Sequence, residues 1–518
     1  MKGPLILSFA LLIFSIAGNT RAVFVPPDKD IDVLSVEKTA IKSKIFSVSL
    51  NGKQLFTQSY KDINYVHVDH NSSVRLVVLS SEPISEFEVE PKNNLINATK
   101  KGNQLLLHLS APGYHIISVN GKHRLFILSD RVLKSPVGEK QVVNVLKYGP
   151  DPTGKKLSTR QLQKAIDETS KARKLLYFPA GIYKTGTLKI GSHANIFLSA
   201  GSVIKGSENR EDYPADGGRR ESDHINDKQN YTDNGEWMTF SRLILIDSAV
   251  DVKIRGRGII DGSGSVVRAQ GKPANLIRIR NSRDVLIEGI VLRDPACWNT
   301  HILLSEDVTI RNVKMLNDRS VPNTDGFDPD ASRRVLIENC FAYCSDDNVA
   351  IKTTNNGNLL GDVDDILIRN NVFLTKKSAL KVGTETKGAR MGNIRFLNNY
   401  IYEADRGLVL YCYDGALFEN IRFEKNDFKW GLDTKNLKAI HFQIRDRSGR
   451  GRIKDVFIQD CRFAPTFSSA AEILGLDDNH QIDGVFFRNV WFGKKLLRSM
   501  DDLRAVTNTY VKNIHFEN

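Results

Sequence analysis

Ten times between Val252 and Phe516 the sequence repeats one short pattern: an apolar residue, any residue, a second apolar residue, then a polar or glycine corner. The pairs are Val252/Ile254, Val285/Ile287, Val308/Ile310, Val335/Ile337, Ile366/Ile368, Ile394/Phe396, Ile421/Phe423, Val456/Ile458, Val485/Phe487 and Ile514/Phe516. Between their second members the steps are 33, 23, 27, 31, 28, 27, 35, 29 and 29 residues. A strand-built period of this size marks a solenoid. One turn of such a coil has no core of its own and buries its inward side chains on the turns stacked about 4.8 Å above and below it. A leucine-rich repeat would add a helical half and a Leu-x-x-Leu spacing, and both are missing. The spacing therefore predicts an all-β chain dominated by a right-handed parallel β-helix. Unequal steps imply loops of unequal length along the coil's edges, where a groove can form.

The rest of the chain divides around this array. Residues 1–22, MKGPLILSFALLIFSIAGNTRA, carry Lys2, an apolar run from Leu5 to Ala17 and a Thr20-x-Ala22 cleavage pattern, which read as a secretory signal peptide. An apolar run of 13 residues is short for a membrane span of about 20. Short alternating runs such as KIFSVSL, VRLVVLS and QLLLHLS follow at sandwich spacing, and predict a small β-sandwich accessory domain over residues 23–136. The β-helix is expected over 137–518, opened by a helix in TRQLQKAIDETSKA, where Leu162, Ala165 and Ile166 fall at helical spacing.

Formal charge is +13, and +11 once a signal carrying Lys2 and Arg21 is removed. This favours anionic partners. The basic residues are dispersed apart from RDRSGRGRIK, Arg445 to Lys454, with no zinc-finger or helix-turn-helix pattern, so a nucleic-acid partner is not expected. An acidic polysaccharide would use the same field. Five cysteines are too few and too scattered for a disulfide scaffold. Cys340 and Cys344 flank one short strand, and buried free thiols are the expectation there. The chain is expected to be secreted or periplasmic.

Within the array, VPNTDGFDPDASRRVLIENCFAYCSDDNVAIKT gathers Asp325, Asp328 and Asp330 before one aliphatic strand and Asp346-Asp347 after it. Asp325 precedes the pair by 21 and 22 residues, close to the shortest step of the repeat, so one turn of the coil sets them side by side. Carboxylates sharing one depression repel, so at least one should keep its proton near neutral pH while others stay ionised. Hydrolysis of a glycosidic bond requires that division: an acid to protonate the leaving oxygen, a carboxylate to deprotonate the attacking water. Asp-Asp pairs recur at Asp364-Asp365, Asp477-Asp478 and Asp501-Asp502, so a pair alone signals little. The company of NTDGFDPD one rung earlier sets Asp346-Asp347 apart.

These motifs, with GIIDGSG, DPACWNTHI, KVGTETKGARMGNIRF and the entry segment NVLKYGPDPTG…LSAGSVIKGS, resemble glycoside hydrolase family 28, the polygalacturonases, over roughly Val142 to Phe428. The resemblance implies a right-handed parallel β-helix that hydrolyses with inversion and needs no cofactor or metal. It implies Asp346 as general acid, Asp325 and Asp347 as the carboxylates that activate water, and Asn323 beside them. Two departures stand out. The family's Gly-His-Gly falls at Lys376-Lys377-Ser378, without its histidine, and its Arg-Ile-Lys, which holds a galacturonate carboxylate, reads Val409-Leu410-Tyr411. An aliphatic and a phenol cannot pair with a carboxylate as a guanidinium and an ammonium do.

Further substrate-binding candidates are Trp298 and His301 as a stacking and hydrogen-bonding wall, Lys352 after the Asp pair, Lys377 and Tyr411, with Tyr413 and Asp414 in the altered subsite. Each competes with an ordinary structural role: core packing for Trp298 and His301, a solvated lysine for Lys352, coil-edge packing for the tyrosines. Glu385 reads as a supporting acid. The sequence thus predicts a secreted inverting glycoside hydrolase acting on an α-linked pectic or other anionic polysaccharide. Alternatives are a family 49-like dextranase taking a neutral α-glucan, a β-helix polysaccharide lyase with a Lys or Arg base, and a non-catalytic glycan-binding solenoid.

Overall fold

A computed structural model describes residues 31–517 apart from 33, 94, 215–240, 272–273, 355–360, 430–437 and 466–470. The expected signal peptide lies outside the described residues. From Val142 onward the chain winds into a right-handed parallel β-helix whose three sheets hold 13, 12 and 11 described strands. The repeat read from the sequence is the first of these sheets. Val252, Val285, Val308, Val335, Ile366, Ile394, Ile421, Val456, Val485 and Ile514 stand opposite one another down its ladder. Both apolar members of each pair face inward because strand side chains alternate, and the first nine pairs are buried.

The corners repeat as well. Where the first sheet turns into the second, Asn371, Asn399 and Asn426 point inward and chain their amides, Asn371 Nδ2 donating to Asn399 Oδ1 at 2.8 Å and Asn399 Nδ2 to Asn426 Oδ1 at 2.9 Å. Where the third sheet returns to the first, Ser282, Ser305 and Ser332 do the same through backbone N–H to hydroxyl bonds. Buried turns have no water to satisfy their polar groups, so identical side chains one rung apart satisfy each other. Stacked rings obey the same spacing: Phe396 lies 5.0 Å from Phe423 with planes 4° apart. The helix Thr159–Lys171 seats Leu162, Ala165 and Ile166 in the same core as the first rungs.

Residues 31–130 form two further sheets, of seven and five described strands, around their own core of Val48, Val68, Leu76, Leu105 and Ile127. The outer face of the seven-stranded sheet packs Tyr65, Ile116, Phe126 and Leu128 against Val203, Leu316, Phe341 and Leu374 of the second β-helix sheet. Buried ion pairs cross this junction. Lys314 reaches Asp130 at 2.6 Å, Arg257 reaches Asp69 at 2.6 Å, and Arg293 bridges Asp261 at 2.6 Å and Glu37 at 2.8 Å. Such pairs add little net stability when intact but cost about 3–5 kcal/mol when one partner is removed. They hold the two units in one alignment. All five cysteines are buried and free, including Cys340 and Cys344.

Candidate active site

The N-terminal unit covers the second sheet, and the acidic cluster lies at the turn from that sheet into the third. Asp325 enters the third-sheet strand Phe327–Asp330 from one rung, and Asp346-Asp347 precede Val349–Thr353 on the next. Gly326 N–H donates to the Asp347 carbonyl at 2.8 Å and Phe327 N–H to that of Asn348 at 2.9 Å, so the two rungs are laced at the acids themselves. A Cβ on Gly326 would sit 2.4 Å from the Asn348 carbonyl oxygen, so only glycine permits this approach. One carboxylate oxygen from each of Asp325, Asp346 and Asp347 lies within 4.8 Å of the others. Asp325 and Asp347 are buried, while Asp346 keeps a partly exposed edge.

Burial, with Asp325 and Asp347 adding their fields, pushes the Asp346 carboxyl up to about 7. Burial also pushes Asp325 well above the usual carboxylate range; Lys352 opposes, and Asp328 and Asp347 reinforce. Asp347 goes the other way. Burial opposes its charge, but the Lys381 ammonium at 2.6 Å, Arg406 and the Ser378 N–H outweigh that and hold it below the usual range. One turn of coil thus holds a protonated and an ionised carboxyl side by side.

Lys352 lies inside the cluster, its Nζ 3.0 Å from Asp328 and 3.3 Å from Asp325, and 3.6 Å from the centre of the half-buried Trp298 ring. Asn323 is half-buried in a left-handed turn at φ 57°, its Oδ1 accepting from Arg268 Nη2 at 2.9 Å. Lys377 is exposed on the lip of the turn. Tyr411 sits two rungs beyond Asp347, its hydroxyl sharing a 2.7 Å hydrogen bond with His441 Nδ1, and its ring stacked on Tyr413 at 5.0 Å. Val409 is fully buried beside them.

One expectation needs correction. His301 forms no part of an exposed wall: it is 1% accessible, and its Nε2 meets Asp330 Oδ2 at 2.9 Å. Asp330 in turn accepts from the Thr354 N–H and hydroxyl at 2.8 and 2.6 Å, so it is held as an internal brace outside the acidic trio. The other Asp pairs have local partners: Asp364 binds Arg390, Asp477 binds His480, and Asp502 binds Lys495.

Sequence reasoning did not single out Lys381, Arg268, Arg406 or His441. Lys381 carried the one available signal, since KVGTETKG was already part of the motif set; its position on the rung after Asp347 only the register supplies. The trio's oxygens are close enough to hold a cation. Lys352 and Lys381 already place two positive charges on these acids, which disfavours a further one.

Residues 222–429 match the model of Glycosyl hydrolases family 28. A probable polygalacturonase of Vitis vinifera is 29% identical over 224 residues, covering 40% of this chain and 44% of that protein. An exo-poly-alpha-D-galacturonosidase of Dickeya chrysanthemi is 24% identical over 335 residues, covering 54% and 53%. The chain thus spans about half the length of the curated relatives it matches. A hyperthermoactive exopolygalacturonase from Thermotoga maritima superposes with a TM-score of 0.56 over 74% of this chain and 94% of its own, at 21% identity, a likeness of fold. By family match and relatives the chain is similar to glycosyl hydrolases family 28 over residues 222–429, and its fold is like that of the Thermotoga maritima enzyme.

Proposed function

We propose that the chain is a secreted glycoside hydrolase that cleaves α-linked bonds of a pectic or other anionic polysaccharide with inversion, residues 23–136 acting as an accessory unit. The observation that carries this reading is the opposed charge state of neighbouring carboxyls. Asp346, pushed to about 7 and partly exposed, is suited to protonate the leaving oxygen. Asp347, kept ionised by Lys381, is suited to take a proton from water, with Asp325 holding that water from the adjacent rung.

A lyase would need a neutral amine as base. Burial disfavours charge on Lys352 and Lys381, but Asp328 and Asp325 around the first and Asp347 beside the second outweigh it, so both stay protonated. A non-catalytic solenoid would have no reason to bury a repelling carboxylate trio.

The oxygens of the trio lie closer than the roughly 6.5–9.5 Å usual between the carboxyls of inverting enzymes. Stereochemistry therefore rests on the resemblance, and product configuration is the deciding measurement. A panel of pectic and neutral α-linked polysaccharides, scored for reducing ends, absorbance near 235 nm and the anomer first released by proton NMR, tests the whole reading. Reducing ends with inverted configuration are expected. An unsaturated product would establish lyase chemistry, and retained configuration would overturn the water-activating roles.

A further inference from the structure

The turn that delivers Asp325 is long. From the second sheet to the third the chain takes ten residues there, 317–326, against four on the next rung, 345–348, and two on each of the two after it, 376–377 and 404–405. A longer turn has more conformational freedom to lose. Holding it in one shape takes contacts beyond those of the ladder.

Those contacts come from the N-terminal unit. Lys61 and Asp62 form the turn between its antiparallel strands Gln58–Tyr60 and Ile63–His70. Lys61 Nζ lies 2.8 Å from Asp318 Oδ2, and the other oxygen of Asp318 accepts from the Ser320 N–H at 2.9 Å and hydroxyl at 2.6 Å. Lys61 also donates to Ser265 Oγ at 3.2 Å, on the short helix whose Arg268 holds Asn323. Asp62 accepts from the hydroxyl of Tyr343, on the strand that runs into Asp346, and the Arg319 guanidinium lies 4.7 Å from the centre of that ring. Arg319 donates to Glu403 Oε1 at 2.5 Å, while Arg124 of the N-terminal unit donates to Oε2 of the same carboxylate at 2.7 Å. Glu403 is fully buried, so each guanidinium meets one oxygen of a charge that water cannot reach.

The braced part of the turn is tied to the acids. The Val321 carbonyl accepts from the Ser345 hydroxyl, which also shares a 2.7 Å hydrogen bond with the Thr324 hydroxyl. Asn317 Nδ2 donates to the Thr324 carbonyl at 2.9 Å. Thr324 directly precedes Asp325 and Ser345 directly precedes Asp346. A shift of residues 318–321 is therefore passed to both carboxyls.

We propose that the N-terminal unit sets the position of the acid-bearing turn, with Lys61, Asp62 and Arg124 as positioning residues that act through Asp318, Tyr343 and Glu403. The consequence for turnover rests on the reading of Asp325 and Asp346 as reacting groups. Misplacing such groups by about 1 Å can cost 10²-fold in rate.

The test uses the full chain and two readouts, amide hydrogen exchange over residues 317–326 and steady-state kinetics on the best polymer of the panel. Lys61→Met is expected to speed exchange at the Ser320 and Val321 amides, which are bonded to Asp318, at least tenfold. Exchange in the strand Val349–Thr353 should stay as in the wild type. kcat should fall at least tenfold with KM within twofold, and Lys61→Arg should restore both readouts. Arg124→Met should act in the same direction from the other contact, with Arg124→Lys as its rescue, so a failure of either variant to fold leaves the other to decide. Lys429→Met is the control: Lys429 pairs with Glu88 and Glu90 of the N-terminal unit three rungs beyond Tyr343, away from this turn, and its loss should leave exchange over 317–326 and kcat unchanged. Unchanged exchange over 317–326 in folded Lys61→Met and Arg124→Met would overturn the proposal. So would faster exchange with wild-type kcat, or an equal loss in Lys429→Met, which would mark general loosening of the junction. A wild type that cleaves nothing in the panel would fail the hydrolase reading alone, and exchange would then decide the brace.

Discussion

Replacing Lys381 by methionine removes the larger of the two cationic influences that hold Asp347 ionised and leaves Arg406 in place. Lys381 Nζ lies 2.6 Å from Asp347 Oδ2, and the two side chains are only 11% and 5% accessible, so solvent screens the pair little. An opposite charge at this range lowers a carboxyl by about 1–3 pH units, worth about 1.4–4 kcal/mol at 1.36 kcal/mol per unit. Loss of Lys381 should move the acid limb of kcat/KM upward by that amount, since protonated Asp347 cannot take a proton from water. Lys381 also restrains Asp346, so the alkaline limb, near 7 in the wild type, should rise too, and the whole bell should shift toward higher pH. The assay is reducing-end release on the best polymer of the panel from pH 3 to 9, with Lys381→Arg expected to restore the wild-type limbs. Folding gives a second readout. A carboxyl depressed in the folded state contributes stability above its unfolded pKa of about 3.9, lost as pH falls through the folded value. Lys381→Met should therefore lower the thermal midpoint at pH 7 and narrow that gap as the solution is acidified. An acid limb that stays in place in a folded Lys381→Met protein would refute the assignment of Asp347 as base.

Asp346→Asn should abolish turnover by the 10²–10⁴ of general acid catalysis or more, with little change in substrate affinity, because an amide keeps the shape and loses the proton; half the wild-type rate would remove Asp346 from the mechanism. Plain polygalacturonate should be turned over about 5- to 150-fold less well than a polymer with a neutral sugar at the Tyr411 subsite, from the roughly 1–3 kcal/mol of an unmet buried polar group. The nearest guanidinium, Arg406, is already committed to Asp405 at 2.7 Å, and equal rates on the two polymers would contradict this. Asn399→Ala removes the middle of the inward amide ladder and strands partners on both neighbouring rungs. It should cost about 1–3 kcal/mol per stranded group, read as a lower thermal midpoint without change in kcat at a temperature where the protein is folded.

Much of the coil was legible in the chain because a solenoid's contacts are periodic. The same inward position recurs every rung, so Val335 and Ile366 announce their pairing through spacing alone, and NTDG and SDD one coil turn apart announce the acids. Local pattern sufficed for the helix Thr159–Lys171 as well, since its buried stripe is a property of consecutive residues. Other features depended on neighbours that spacing does not encode. His301 and Lys352 look alike in sequence as polar residues beside apolar ones, yet His301 is locked under Asp330 and Lys352 is drawn between two carboxylates. Which acid is protonated was open, because it depends on a lysine from the next rung reaching Asp347 and not Asp346. Only the tertiary structure brings the N-terminal unit against the second sheet and so leaves the third sheet's edge to the acids. A charge's state is set by everything within a few ångströms, and chain position specifies that environment only after the coil has closed.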